Sequence, residues 1–232
     1  MTACAFVAGA TGFVGRALVQ ALVARGVDTT AHVRPDSGRL AEWRDKLAAL
    51  GAKVDATPWD DAALTATLRT LAPTHVFCTI GTTRNRAKAD QISGDIYQAV
   101  DVGLTRMLVT AAVGSGARPR LVVLSSVGAS PKSASAYLKA RAQAEGFAIE
   151  SGLSWAIARP SFIVGDGRED RRRAEDATAA VANGLLGMLG ALGATKLRDK
   201  YRSIGPDALA TALVRLGLDE TADRVYQAGD LR

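Results

Sequence analysis

The chain has 232 residues, of which 48% are hydrophobic and 22% charged, a composition typical of a soluble globular protein with one large α/β domain. Its net charge of +6 suits an anionic ligand or a nucleic acid, but no aromatic-interleaved basic stripe is present, so we expect no nucleic-acid partner. No signal-peptide pattern or bilayer-length apolar run is seen, so we expect a cytoplasmic protein without a membrane span. Cys4 and Cys78 lie in apolar runs and predict buried thiols rather than a disulfide.

The first motif is a glycine-rich turn between a predicted strand, residues 4–8, and a predicted helix that continues from Arg16. Backbone N–H groups and the positive end of the helix dipole meet at such a turn and can bind phosphate. Three glycines alone identify little, because any tight strand–helix turn needs them, but the flanking strand and helix favour dinucleotide binding. The predicted cofactor contacts in this G-x-x-G-x-x-G turn are Gly9, Thr11, Gly12, Phe13, Val14 and Gly15.

Beyond the turn, short apolar runs alternate with helical patterns, which predicts an α/β fold with a parallel sheet built from βαβ units. Strands are expected near residues 29–33, 52–56, 75–80, 121–124, 155–158 and 224–227, and helices near 38–50, 60–71, 95–115, 135–150 and 206–216. Gly51 and Gly217 are the expected helix C-caps, and Asp60 is an expected N-cap. Neither an internal repeat nor a linker to a second domain is evident, so residues 1–232 are expected to form a single domain.

The end of the second strand carries the clue to the cofactor. An acidic residue about 20 positions beyond the glycine turn usually holds the ribose 2′-hydroxyl of NAD. Arg34 occupies that neighbourhood, with Arg39 nearby, and a guanidinium suits the 2′-phosphate of NADP. Asp36 is a complication because its carboxylate would repel that phosphate, and Arg34 could simply be a solvated residue. We therefore expect NADP, with NAD the less favoured cofactor.

Ser125 and Ser126 end the fifth strand, and Tyr137 begins the next helix with Arg141 four residues later on the same face. A phenol close to a fixed cation loses its proton more easily, which suits it to exchange a proton with a carbonyl oxygen. Taken alone, this spacing is a weak signal, and a tyrosine stacked on an arginine of the helix surface is its favoured explanation.

Several motifs together resemble the atypical short-chain dehydrogenases/reductases. They are the glycine turn at 9–15, Leu124-Ser125-Ser126, Tyr137 with its helix, and Arg159-Pro160. The segments 78–84, 159–166 and 201–210 are similar to the branch of Tat-interacting-protein-like oxidoreductases, with NmrA-like proteins as more distant relatives. The resemblance covers nearly the whole chain.

This resemblance implies a Rossmann-like, doubly wound parallel sheet with helices on both faces and a small C-terminal substrate-facing part, residues 161–205. It also implies NADP(H) at the carboxyl ends of the strands, with further cofactor contacts from Gly81, Thr82, Ser125, Tyr137, Arg141, Arg159 and Pro160. Ser126 (or Ser125) and Tyr137 would polarise and protonate a substrate carbonyl. Arg141 stands where the family has a lysine that supports the tyrosine.

Arginine in place of lysine keeps the positive charge but cannot relay a proton. Two functions therefore remain open. The first is an NADPH-dependent reductase of a small carbonyl or quinone-like compound, with Ser126, Tyr137 and Arg141 as its catalytic residues. The second is an NADP(H)-binding redox sensor or regulator with little turnover. An epimerase is less favoured, because extended sugar-nucleotide enzymes usually have a larger substrate domain.

The substrate side is the least informative part of the sequence. The charged segment 165–176 is expected as a solvated loop rather than an anion clamp. The apolar, glycine-rich run at 178–194, which includes 184–194, could pack in the core, cover an apolar substrate or contact a second subunit. His32 and His75 have no metal-ligand spacing, so we expect no metal, and either a monomer or a homodimer is compatible with the sequence.

Overall fold

A computed structural model of the protein describes residues 3–82, 94–164 and 203–232. Seven strands form one parallel sheet in the order β3-β2-β1-β4-β5-β6-β7. The strands are β1 (Cys4–Ala8), β2 (Asp28–His32), β3 (Lys53–Asp55), β4 (His75–Cys78), β5 (Arg120–Leu124), β6 (Trp155–Arg159) and β7 (Arg224–Gln227). This order reverses between β1 and β4, as in doubly wound dinucleotide-binding folds, and it confirms the predicted α/β, Rossmann-like class.

Helices cover both faces of this sheet. They are α1 (Phe13–Ala24), α2 (Leu40–Ala49), α3 (Asp61–Leu71), a π-helix (Tyr97–Leu104), α4 (Thr105–Gly114), α5 (Ala136–Glu150), α6 (Pro206–Leu218) and a final 3₁₀ turn (Ala228–Leu231). One hydrophobic core joins the sheet to α1, α2 and α6, and the other joins it to α3, α4 and α5. Burial of the central strands on both sides explains why they appear in the sequence as continuous apolar runs.

The turn between β1 and α1 is packed tightly against the end of β4. Gly9 has a φ of 84°, and a Cβ atom there would lie 2.7 Å from the carbonyl carbon of Thr79. A Cβ atom on Gly15 would lie only 2.1 Å from the Gly9 oxygen. Glycine is therefore required at both positions by the close approach of three backbone segments. The same packing places the phosphate-binding motif beside the strand end that leads to Gly81.

Most predicted helix ends agree with the structure. The Asp60 carboxylate accepts a hydrogen bond from the Ala63 amide at 2.9 Å, and Gly51 follows α2 with the positive φ of a helix-ending glycine. The predicted cap at Gly217 is wrong, because α6 continues to Leu218. Gly217 is instead a buried contact, where a Cβ atom would lie 2.7 Å from the Phe77 ring.

The predicted helix at 95–115 is also corrected, because its first part is a π-helix and only Thr105–Gly114 is a regular α-helix. The wider turn coincides with Asp101, whose side chain is fully buried rather than solvated. π-Helical turns are rare and frequently mark functional sites. Apolar periodicity reports only that a helix packs on the sheet, so it gave no sign of this local change in winding.

Parts of several predictions lie outside the described residues. These are residues 83 and 84 of the motif at 78–84, the charged segment 165–176, the apolar run 178–194 that includes 184–194, and Tyr201 and Arg202. In the three ranges that the structure does describe, no helix is both long enough and apolar enough to cross a membrane.

We expect Gly15→Ala to lower the free energy of unfolding by about 1–3 kcal/mol, because the added methyl group must displace the Gly9 backbone. Gly38→Ala is the matched control, since a Cβ atom there meets nothing within 4 Å. Urea unfolding of both variants measures the difference. Equal stability of the two variants would contradict the close packing of α1 on the turn.

Candidate functional site

The candidate phosphate end of the site is the start of α1. Gly12 is the N-cap residue, no side chain caps the helix, and its first turn contains no acidic residue. Gly12 donates its own N–H to the Gly9 carbonyl at 2.9 Å, while Thr11 lies in the same turn. Within the described ranges, no acceptor is bonded to the N–H groups of Phe13, Val14 and Gly15. These orphan donors and the helix dipole fit a pyrophosphate group.

The predicted adenosine end lies beyond β2. The Arg34 side chain is 35% exposed, and its Nε lies 3.8 Å from a carboxylate oxygen of Asp36. Arg39 is the N-cap residue of α2, and its guanidinium donates two hydrogen bonds to Glu42, at 2.6 and 2.7 Å. Each of the two arginines therefore lies close to a carboxylate. The carboxylate near Arg34 is Asp36, the residue whose negative charge was expected to repel a 2′-phosphate.

Arg141 lies at the other end of the candidate site, where β4 and β5 end. Its Nη1 donates to the carbonyl oxygens of Ile80, at 2.9 Å, and Leu124, at 3.1 Å. Its Nη2 forms an ion pair with Asp101 at 2.8 Å. A side chain on Gly81 would collide with this guanidinium, because a Cβ atom there would lie 2.2 Å from Nη2. Arg141 thus fixes two strand ends, α5 and the π-helix relative to one another.

Asp101 is the residue of this site that sequence reasoning missed. Its side chain is completely buried, and Oδ2 accepts a hydrogen bond from the Thr82 amide at 3.2 Å. Burial raises the pKa of the Asp101 carboxyl, and the Arg141 charge and the Thr82 amide offset part of that effect. Burial lowers the pKa of Arg141, but its interactions with Tyr137 and Asp101 raise this pKa by more, so the net shift is upward. A carboxylate within an apolar helix face was the available signal.

Tyr137 lies directly on Arg141, as their four-residue spacing predicts. The guanidinium carbon of Arg141 is 5.3 Å from the centroid of the Tyr137 ring, and the Tyr97 ring lies 5.5 Å away on another side. Ser126 follows the end of β5, where its hydroxyl donates to the Val127 carbonyl at 3.3 Å. No hydrogen bond joins Ser126 to Tyr137 in the described part of the chain.

A second buried carboxylate, Glu145, organises the neighbouring strand ends. Its oxygen atoms accept from the Ser125 hydroxyl at 2.5 Å and from Arg159 at 2.8 and 2.5 Å. The hydrogen bonds to Glu145 raise the pKa of Arg159. Pro160 continues this edge by accepting a hydrogen bond from the Val127 amide. Ser125 and Arg159 are therefore tied to α5, and Glu145, one turn beyond Arg141, was a second residue missed in the sequence.

Comparison with known protein families assigns the chain to one of them. Residues 9–184, most of the chain, match the family described as NAD(P)H-binding. The chain belongs to the NAD(P)H-binding family. Comparison with curated protein sequences finds no match.

Solved structures with this NAD(P)H-binding fold include several epimerases. A candidate epimerase from Burkholderia cenocepacia J2315 superposes with a TM-score of 0.68 at 22% identity, over 99% of this chain and 78% of that chain. UDP-glucose 4-epimerase from Brucella ovis, solved with NAD, gives 0.66 at 19% identity over 97% and 77%. The Bordetella bronchiseptica enzyme WbmH, solved with NAD+, gives 0.65 at 16% identity over 98% and 76%. At these identities the likeness establishes the fold.

We expect Asp101→Ala in this NAD(P)H-binding protein to lower the free energy of unfolding by about 3–5 kcal/mol, because it leaves the Arg141 charge buried without its partner. The matched control is Asp219→Ala, which breaks the exposed ion pair with Arg25 and should cost less than about 1 kcal/mol. Urea unfolding compares the two. Similar small losses would show that Asp101 does not compensate Arg141.

Proposed function

We propose that this protein is an NADPH-dependent reductase of a small, apolar carbonyl or quinone-like substrate, with Tyr137 as the general acid. The observation that carries this proposal is the contact between Tyr137 and the buried Arg141 guanidinium at the carboxyl ends of β4 and β5. The glycine turn packs on the residue that follows β4, so both groups belong to one edge of the sheet. Ligands of open α/β sheets bind at this edge.

The chemistry supplied by the bound cofactor is hydride transfer. Tyr137 would give a proton to the carbonyl oxygen of the substrate, and the adjacent Arg141 charge would favour the phenolate that remains. Ser126 would donate a hydrogen bond to the same oxygen. The choice of Ser126 over Ser125 is supported by the Ser125–Glu145 hydrogen bond, which already engages the Ser125 hydroxyl.

The proposed preference for NADP rests on the positive side chains beyond β2. Arg34 lies two residues beyond the end of β2, at the position where an NAD-binding protein has an acidic residue. Two of the structural relatives were solved with NAD, so the discrimination must come from residues of this chain rather than from the fold. The partly exposed guanidinium of Arg34 supports the assignment.

We also propose that residues 161–205 are the substrate-side part of a single domain comprising residues 1–232. Support comes from both ends of this segment, because Ile163 and Ile204 form a parallel β-bridge just after β6. The Val164 amide donates to the Ile204 carbonyl at 3.1 Å, and the Ile204 amide donates to the Phe162 carbonyl at 2.9 Å. The two ends of this segment therefore meet at one point on the carboxyl edge. The motifs at 78–84 and 159–166 support the Tat-interacting-protein-like branch.

A second candidate function is an NADP(H)-binding sensor or regulator with little turnover. The observation that favours it is the buried ion pair in which Asp101 opposes the charge of Arg141. A compensated guanidinium supports a phenolate less strongly than an isolated cation does, and it cannot relay a proton. The two candidates share a cofactor site and differ in the rate of substrate reduction.

We expect the protein to bind NADPH more tightly than NADH, because Arg34 offers charge-assisted hydrogen bonds to a 2′-phosphate. Fluorescence titration of the purified chain with each reduced cofactor measures the two Kd values. Arg34→Ala should narrow the difference, whereas Arg118→Ala, a change on the opposite edge of the sheet, should not. A lower Kd for NADH would overturn the NADP assignment.

We expect Tyr137→Phe to lower the rate of NADPH oxidation by about 10²-fold or more without changing the Kd for NADPH, because only the acidic hydroxyl is lost. Tyr97→Phe is the matched control, since its ring contacts Tyr137, and it should retain the rate within a few-fold. Arg141→Lys should retain or raise the rate. The assay uses a panel of quinones, aldehydes and ketones.

Unchanged rates for Tyr137→Phe on a substrate that the wild type reduces would remove the tyrosine mechanism. Tight NADPH binding with no oxidation across the panel would favour the sensor over the reductase. Activity confined to charged sugars would contradict the proposed apolar substrate.

A further inference from the structure

Three positively charged side chains surround one tryptophan beside the cofactor end of the sheet. Trp43 of α2 is 7% exposed. The guanidinium carbons of Arg16 and Arg39 lie 5.6 and 5.0 Å from the centroid of its ring, and the Lys46 ammonium lies 5.5 Å away. Cations within about 6 Å of an indole are attracted to its face. Trp43 therefore has positive charge close to it from α1 and from both ends of α2.

Two of these cations share a carboxylate, and one does not. Glu42 accepts hydrogen bonds from both Arg39 and Lys46, and the Arg39 hydrogen bond chiefly lowers its pKa to about 2. Glu42 is thus ionised throughout the physiological range and compensates both neighbours. Arg16 has no ion pair with any carboxylate among the described residues, and its only specific contact is the Trp43 ring.

The position of Arg16 relates this charge to the cofactor. Arg16 directly follows Gly15, so it lies one turn inside the helix whose open N-terminus fits a pyrophosphate. Trp43, which it contacts, belongs to the helix that follows β2 and Arg34. In doubly wound folds the adenosine ribose lies between the glycine turn and the end of the second strand. Arg16 and Arg34 therefore flank the region of that ribose from two different elements.

We propose that Arg16 is a specificity-determining residue that binds the 2′-phosphate of NADP together with Arg34. Trp43 lies beside the guanidinium of Arg16 without accepting a hydrogen bond from it, which leaves the N–H donors of that group available to an anion. Arg39 is less suited to this role because Glu42 already takes two of its donors. The proposal rests on the NADP preference proposed above, and it names a residue that supplies that preference.

The test compares Kd values for NADPH and NADH in the wild type, Arg16→Ala, Arg16→Lys and Arg25→Ala. Arg25→Ala is the matched control, because this substitution removes one positive charge from the far end of α1, where Arg25 pairs with Asp219. We expect Arg16→Ala to weaken NADPH binding about tenfold or more and to leave NADH binding unchanged. Arg16→Lys should keep part of the preference, and Arg25→Ala should keep all of it.

Each result separates this assignment from the proposed function. A wild type that prefers NADPH and an Arg16→Ala variant that prefers it equally would overturn the role of Arg16 and leave the NADP assignment standing. Equal loss of NADPH and NADH binding would place Arg16 on the pyrophosphate or in the fold, and would also overturn it. A wild type with no preference would overturn both. Circular dichroism and thermal unfolding establish that the variants are folded.

Discussion

The buried ion pair between Arg141 and Asp101 is the interaction on which the candidate site depends. Taking two charges out of water carries a large desolvation cost, which is offset only when hydrogen bonds satisfy the remaining donors and acceptors. Here the Ile80 and Leu124 carbonyls and the Thr82 amide supply such hydrogen bonds, whereas Nε of Arg141 has no hydrogen-bond partner among the described residues. The pair therefore couples the position of the Tyr137 ring to the ends of two central strands.

Close backbone packing is the second constraint, and it connects the two ends of the site. The absence of side chains at Gly9 and Gly15 lets the turn before α1 approach the residue that follows β4. The absence of a side chain at Gly81, two residues later, leaves room for the Arg141 guanidinium. Glycines of two distant motifs thus pack at one strand end, so that β4 connects the glycine turn to Arg141.

The sequence predicted the elements well because each leaves a local signal. The apolar runs located all seven strands to within two residues at either end, and Asp60 marked a helix start through its own side chain. The errors have a common cause, since they concern residues whose partners lie far along the chain. Gly217 resembles a helix cap until Phe77 is known to pack against it, and Asp101 resembles a solvated carboxylate until Arg141 is known to face it.

The site residues divide in the same way. The four-residue spacing of Tyr137 and Arg141 predicted their contact correctly, because helix geometry alone decides it. Nothing local could show that Glu145 holds Ser125 and Arg159, since this contact requires β5, β6 and α5 to be assembled. The roles of the predicted cofactor contacts remain predictions, although the elements that carry them do meet at one edge of the sheet.

The two ends of this edge differ in their balance of charge, and that difference has a consequence for binding. At the Tyr137 end the Arg141 guanidinium is opposed by Asp101, so the pair carries little net charge. At the Trp43 end Arg16 has no carboxylate partner within the described residues, and Glu42 pairs with both Arg39 and Lys46. A dinucleotide is itself asymmetric, because NADP carries its additional phosphate on the adenosine side. With NADP as the proposed cofactor, the positive charge of Arg16 would favour the orientation that places adenosine beside Trp43 and the reacting ring beside Tyr137.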